Sequence, residues 1–278
     1  MKPFLAVLLL LFAAGILNAN QNVFISDQSI FSSLNGSSCF SGDVLNCNGG
    51  ADGHHVYEEE VKCPVGGEQF KAFYLGTHST YGRHLDWEPV SYMRFPVPIP
   101  VCPSNGFVMA KKDHTKEELQ ALKAVIESKS YKDLYAQKHA TYYLFAKMKE
   151  MNKEKFNDYW WLYLNATWEA DNCKEKTRYK EYALETISAG TKRLAELKES
   201  EEVYWVLKLV TADLYRRIGD FKTSQELADK FGTPSLADKE TNEYFLLGRK
   251  LLLNAIKEKN TDRVPISDAR DEFRRPKN

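Results

Sequence analysis

The sequence predicts an α+β chain that is mainly α: a small β head followed by an antiparallel array of helices. Three observations predict it. Two cysteine-proline turns, Cys63-Pro64-Val65-Gly66-Gly67 and Cys102-Pro103-Ser104-Asn105-Gly106-Phe107, punctuate a stretch of short aromatic-rich segments. At Thr115 the character changes, because Thr115-Lys116-Glu117-Glu118 is a capping box that opens a helix. From there to about Lys259 apolar residues recur at helical spacing, beginning with Leu119, Leu122, Val125 and Ile126.

Composition narrows the function classes. The 278 residues, 43% apolar and 27% charged, suffice for one large or two modest cores and exclude wholesale disorder. Lys and Arg number 38, as do Asp and Glu, so no basic excess is present for a nucleic-acid backbone to meet. Residues 20–110 carry nine acidic side chains against four basic ones, which makes the head a still poorer phosphate reader.

Residues 1–19 read as a cleaved export signal: Lys2, an apolar run from Phe4 to Leu17, then small Ala19 before polar Asn20-Gln21-Asn22. A run of about 14 residues is short for a membrane span, so the membrane enters only through this segment. The mature chain is expected to be soluble and exported, periplasmic or secreted. In such a compartment the five cysteines point to disulfides more than to thiolate metal sites, and the odd number leaves at least one outside any intrachain pair.

Residues 20–53 form a loop-rich arm, with turns at Asn35-Gly36, Ser41-Gly42 and Asn48-Gly49-Gly50. Cys39 and Cys47 are expected to bridge within it. Residues 54–110 make the head. Stretches 56–61 and 70–75 suit strands, while the alternate prolines of 95–101 force an extended edge. Each Cys-Pro turn has the form of a zinc knuckle that keeps its first cysteine and has Gly66 or Asn105 at the second position. A structural zinc needs four N or S ligands, and these turns supply two. The head is therefore expected to be ribbon-like and to hold no metal.

Residues 111–259 are expected to give six to eight helices. Breaks fall near Ser128-Ser130, Met151-Asn152, Asn172-Cys173, Ser200, Gly219-Asp220 and Gly232-Thr233-Pro234. Residues 203–230 read as helix, Gly219-Asp220-Phe221 turn, helix, in the manner of a tetratricopeptide repeat, although Thr223-Ser224 stand where such repeats favour alanine. Residues 260–278 are expected to be a loose tail.

In order along the chain stand CPVGGEQF, YGRHLDWEP, PIPVCPSNGF, HATYYLFAKM, NATWEAD and DLYRRIGDF. This series resembles the bacterial family called domain of unknown function 2225, which joins a CPxC…CPxCGF zinc-ribbon-like head to tetratricopeptide-like helices. The resemblance spans roughly residues 52–231. It maps Cys63 and Cys102 onto first knuckle cysteines and fails at Gly66 and Asn105, and it supplies no catalytic residues or substrate. With the second thiols lost and export removing a reducing environment, Cys63 and Cys102 are expected to form a disulfide where relatives would hold zinc.

Three further groups are candidates. His54 and His55 could replace the missing ligands of a metal held by Cys63 and Cys102. His84 and Asp86 suggest a general base and its orienter for hydrolysis, against the plainer reading of an Arg83–Asp86 brace. Tyr143, Trp160, Trp161 and Trp168, within an aromatic cluster that also holds Tyr142, Phe145, Phe156, Tyr159 and Tyr163, suggest a groove for a protein or peptide partner, against the plainer reading of core. The leading reading is an exported binding or scaffold protein without a cofactor; the others are a metal-binding protein and a hydrolase.

Overall fold

The structure is a computed structural model that describes residues 24–26, 56–154 and 156–266. Its sheet has three antiparallel strands, β1 (Phe24–Ser26), β2 (Val56–Lys62) and β3 (Gln69–Leu75), in the order β1-β3-β2. The register of β2 on β3 pairs Tyr57 with Tyr74 and Val61 with Phe70. Strand alternation then puts Val61, Phe70, Ala72 and Tyr74 together on one face, and leaves Glu58, Glu60 and Lys71 on the other.

Eight helices follow among the described residues: α1 (Lys116–Glu127), α2 (Lys129–Ala136), α3 (Thr141–Met151), α4 (Tyr159–Asn172), α5 (Lys176–Leu194), α6 (Glu202–Arg217), α7 (Phe221–Asp229) and α8 (Lys239–Lys257). The fold is thus α+β and mainly α. The capping box forms as its sequence requires, with Glu118 N donating to Thr115 Oγ1 at 3.2 Å and Thr115 N donating to Glu118 Oε2 at 2.9 Å. Ser128 ends α1 and caps α2. Between α6 and α7, Gly219 takes φ +88° and Asp220 caps α7 by accepting from Thr223 N at 3.0 Å. Ser224 fills the tight helix contact in place of alanine: it is fully buried, and its hydroxyl donates to Ala212 O at 2.7 Å.

One contiguous core runs from Cys63, Leu85 and Phe107 in the head, through Tyr131, Trp168 and Trp205, to Phe245 and Ile266. Head and helices share their burial. The segment 95–101 bends at Phe95-Pro96, buries Val97, and inserts Ile99 and Val101 into that core, with one bridge between Val101 and Val108.

Residues 260–266 correct the expectation of a loose tail from 260. They fold back over the head as a strap. Leu85 N donates to Val264 O at 2.9 Å, Ile266 N donates to Arg83 O at 2.8 Å, and Ile266 is 1% exposed. Arg216, itself buried, donates to Asn260 O and to Asp262 O. Residues 1–19, Cys39, Cys47, His54, His55 and 267–278 lie outside the described residues. No helix among the described residues is long and apolar enough to cross a membrane.

Candidate functional site

The two cysteine-proline turns have the same backbone form. Cys63 N donates to Glu68 O at 2.8 Å and Gly67 N to Cys63 O at 2.9 Å; Cys102 N donates to Phe107 O and Gly106 N to Cys102 O, both at 2.9 Å. Gly67 and Gly106 have φ of +80° and +75°, which only glycine adopts freely. Helix α2 presses on the second turn: Tyr131 donates its hydroxyl to Gly106 O at 2.8 Å and Tyr135 to Pro103 O at 3.1 Å. A Cβ on Gly106 would lie 2.6 Å from the Tyr135 ring, so the close approach also needs glycine.

The turns face each other and are joined by the Cys63–Cys102 disulfide, with Cα atoms 5.7 Å apart. Both cysteines are buried. Beside the bridge, Gly66 N points at Cys63 Sγ from 3.2 Å, and Asn105 Nδ2 lies 3.7 Å from the same sulfur. Glu68 reaches from the first turn to the second, where its Oε1 accepts from Ser104 N at 3.2 Å and from Ser104 Oγ at 2.5 Å. Burial pushes the Glu68 carboxyl up, but the Ser104 hydrogen bonds outweigh it and hold the group below its usual range.

A zinc would need this junction to provide four donors. Cys63, Cys102 and Glu68 have ligand atoms within 4.8 Å of one another. The two sulfurs are bonded to each other, however, and a disulfide sulfur carries no thiolate charge for a metal. Gly66 and Asn105 supply neither thiolate nor imidazole. The residues of the junction do not fit a tetrahedral zinc.

A second cluster is built around His84 and Asp86. The chain turns back tightly here, with Tyr81 N donating to Val90 O at 2.8 Å, His84 N to Glu88 O at 2.8 Å and Trp87 N to His84 O at 2.9 Å. At the tip Trp87 has φ +66° and is held by stacking on Phe245 of α8, with centroids 5.6 Å apart. The tip buries Asp86 and Glu88 completely or nearly so. Arg217, from the last turn of α6, meets Asp86 at 2.6 Å and Asp171 at 2.9 Å, and its guanidinium lies over the Tyr179 ring at 4.7 Å. Arg263 of the strap pairs with Glu88, with Asp171 at 2.6 Å and with Asp86 at 3.9 Å.

This geometry corrects the hydrolase expectation. Asp86 Oδ1 accepts from Glu88 N and Oδ2 from Arg217, while His84 Nδ1 meets Glu88 O at 3.2 Å, so Asp86 does not orient the imidazole. The expected Arg83–Asp86 brace is replaced by Arg217 and Arg263; Arg83 instead donates its backbone N–H to the Tyr244 hydroxyl, 3.1 Å away, and its carbonyl accepts from Ile266 N of the strap. Burial pushes Asp86 up, but Arg217 and Arg263 override it and hold the carboxyl below its usual range. Glu88 goes the other way: burial raises it well above the usual range despite Arg263. His84 is lowered by burial. His84, Asp86 and Glu88 also lie within metal-ligand distance of one another, but Arg217 and Arg263 already occupy the two carboxyl groups.

The aromatic set is core, not a groove. Tyr143, Trp160 and Trp168 are 5%, 3% and 1% exposed; Trp161, like Phe145, Phe156 and Tyr159, is partly buried and packs on the core, set edge-on to Trp160 and Trp168. Adjacent Trp160-Trp161 diverge on the helix, and α5 approaches the Trp160 side, where Gly190 leaves room for it. Nearby, Glu169 of α4 is buried and accepts from Thr141 Oγ1 at 2.7 Å and Tyr142 N at 3.2 Å, serving the uncapped start of α3. Ile99 N donates to the same Thr141 hydroxyl at 3.0 Å, which ties the head to this helix start.

Sequence reasoning missed Glu88, Asp171, Arg217, Arg263 and Glu169 as members of buried polar networks. The available signals were Arg216-Arg217 at a helix end and an acidic residue amid the apolar run of α4. No family model, no curated protein and no solved structure matches the chain.

Proposed function

We propose that this is an exported binding or scaffold protein: a small ribbon-like head, fastened by a disulfide instead of a metal, carried on a helical interaction array. The observation that carries the reading is the Cys63–Cys102 bond between two equivalent turns. A structural disulfide belongs to an oxidising compartment, which the export signal of residues 1–19 would reach. The order of motifs and the paired turns support membership of the domain of unknown function 2225 family, in a branch that has given up its zinc. The Gly219-Asp220-Phe221 hairpin supports a tetratricopeptide-like array, a fold whose extended surfaces take protein or peptide partners. His84 and Asp86 are structural in this reading, since Asp86 is committed to arginine.

The test uses the full chain with its own first residues. Protein recovered from the exported fraction should begin after Ala19. Cys63 and Cys102 should resist alkylation until a reductant is added. Photo-crosslinkers placed at the exposed Leu246 and Leu247 of α8 should each trap one stoichiometric protein partner in that fraction. A chain still beginning at Met1 in the membrane sinks export, and ready alkylation of both cysteines sinks the fastened head. A protein that stays uncrosslinked at both positions and elsewhere on the array sinks the binding role.

A further inference from the structure

We infer that Glu68 stands in the place of a knuckle ligand and clamps the two turns together, so that the junction keeps its geometry and excludes a metal by occupancy. This needs only the two facing turns, and it holds whether or not the chain is exported.

Four positions surround the meeting point of two knuckles. Two are the first-position sulfurs, here bonded to each other. The third is the side-chain space of Gly66. A Cβ built there would lie 2.0 Å from Glu68 Oε2, 2.8 Å from Asn105 Nδ2 and 2.8 Å from Ser104 Oγ. Gly66 is not among the glycines with positive φ, so its backbone would accept a cysteine; what fills the space is the Glu68 carboxylate. The fourth is Asn105, whose Oδ1 accepts from Phe107 N at 2.9 Å to close its own turn while its Nδ2 faces Cys63 Sγ.

The carboxylate's two oxygens divide the work. Oε1 takes both Ser104 donors across the junction. Oε2 is buried without a hydrogen-bond partner and lies against Gly66. The cross-link is thus double: a covalent bond between first positions, and an anion on a hydrogen-bond pair between the turns. A carboxylate accepting from a hydroxyl and a backbone N–H is among the stronger hydrogen-bonded arrangements available without a metal.

The opposite use of the same atoms is that, once reduced, Cys63 and Cys102 take a zinc with Glu68 as third ligand. One experiment separates the two. Full-length protein reduced with a phosphine is mixed with one equivalent of zinc, desalted and analysed for bound metal. Wild type should retain none, and Glu68→Gln should behave alike. Zinc held by wild type and lost in Glu68→Gln would make Glu68 a ligand and overturn the clamp.

The second arm restores the missing thiols. Gly66→Cys/Asn105→Cys should bind zinc at least about tenfold more weakly than Gly66→Cys/Asn105→Cys/Glu68→Ala, because only the second opens the space. Equal affinity of these two variants overturns the proposal. Failure of the second to bind, with its helical circular dichroism intact, overturns it equally, since something other than Glu68 would then keep the metal out.

Discussion

Replacing Arg217 by methionine tests the buried charge cluster most directly. The arginine side chain is 5% exposed, and it faces Asp86, which is fully buried, at 2.6 Å and Asp171 at 2.9 Å. Methionine fills a similar length and can keep contact with the Tyr179 ring, so the lost quantity is charge. Asp86 is then left with Arg263 at 3.9 Å. Removing one partner of a buried ion pair costs about 3–5 kcal/mol, because the other charge stays desolvated. For a chain of this size each kcal/mol moves the melting temperature by roughly 2–4 °C, so Tm should fall by about 6–20 °C at neutral pH. The sign of the pH dependence follows from Asp86. Its folded pKa is depressed in the wild type by Arg217 and Arg263 against burial. That contribution is present above the unfolded value of about 3.9 and is lost as pH falls through the lower folded value. In the variant burial dominates and Asp86 protonates more readily, which relieves the isolated charge. The gap in Tm between the two proteins should therefore be widest near pH 7 and close as the pH drops to about 4 and below. Melts followed by circular dichroism across that range decide it. A neutral-pH loss under about 2 °C, or a gap that does not change with pH, would show that Arg217 does not hold Asp86 in the folded protein.

The double change Cys63→Ser/Cys102→Ser should lower unfolding free energy by about 4 kcal/mol, the chain-entropy value for its separation of 39 residues; denaturant melts showing less than about 1 kcal/mol would mean that the turns are held without the bond. Burial raises Glu169 to about 7 despite its bonds to Thr141 and Tyr142. A raised carboxyl makes the unfolded chain lose its proton first, so the contribution of Glu169 to stability should fall as pH rises from about 4.5 to 7. In Glu169→Gln that fall should be missing, and an unchanged pH slope in its melts would exclude the group. Ile266→Ala should cost about 2–5 kcal/mol, as for other buried aliphatic truncations, and should speed amide exchange at Leu85, whose N–H the strap receives; unchanged exchange at that amide would detach the strap from the fold.

The sequence made some boundaries legible and hid others for identifiable reasons. The capping box at Thr115 and the glycine at 219 are local chemistry, and the helix start and turn fell where that chemistry puts them. Four other helix ends pass through a left-handed lysine: Lys138, Lys153, Lys174 and Lys259 have φ between +50° and +59°. Lysine carries no turn signal, so the break over 137–140 between α2 and α3 was invisible, and there the Tyr182 hydroxyl of α5 accepts from Ala140 N. The disulfide was legible because the two turns repeat one pattern. Glu68 was not, because its role depends on Ser104, 36 residues away, and on the empty side chain of Gly66. The aromatic set misled for a related reason. Ring density is the same in a groove and in a core, and only the burial of each ring in the folded chain decides between them. Arg263 was read as tail because nothing local announces a partner; its carboxylates come from residues 86, 88 and 171.

A three-stranded sheet of this size buries little by itself: Ala72 and Tyr74 are its only fully enclosed apolar cluster apart from the main core, among the described residues. Domains that small ordinarily need a metal or disulfides. Here one bond and one carboxylate join the turns, and the helices supply the rest. Tyr131 and Tyr135 of α2 seat the second turn, Thr141 of α3 receives the backbone at Ile99, Phe245 of α8 stacks on Trp87, and Arg217 of α6 neutralises the tip of the 81–90 turn. Each contact comes from a different helix, so the head's shape is set by how the array is stacked. A displacement within the array would be felt first at the head, through Asp86 and Trp87, because a buried charge and a ring held at positive φ tolerate small shifts least. The core that so small a sheet lacks by itself is provided by the helices.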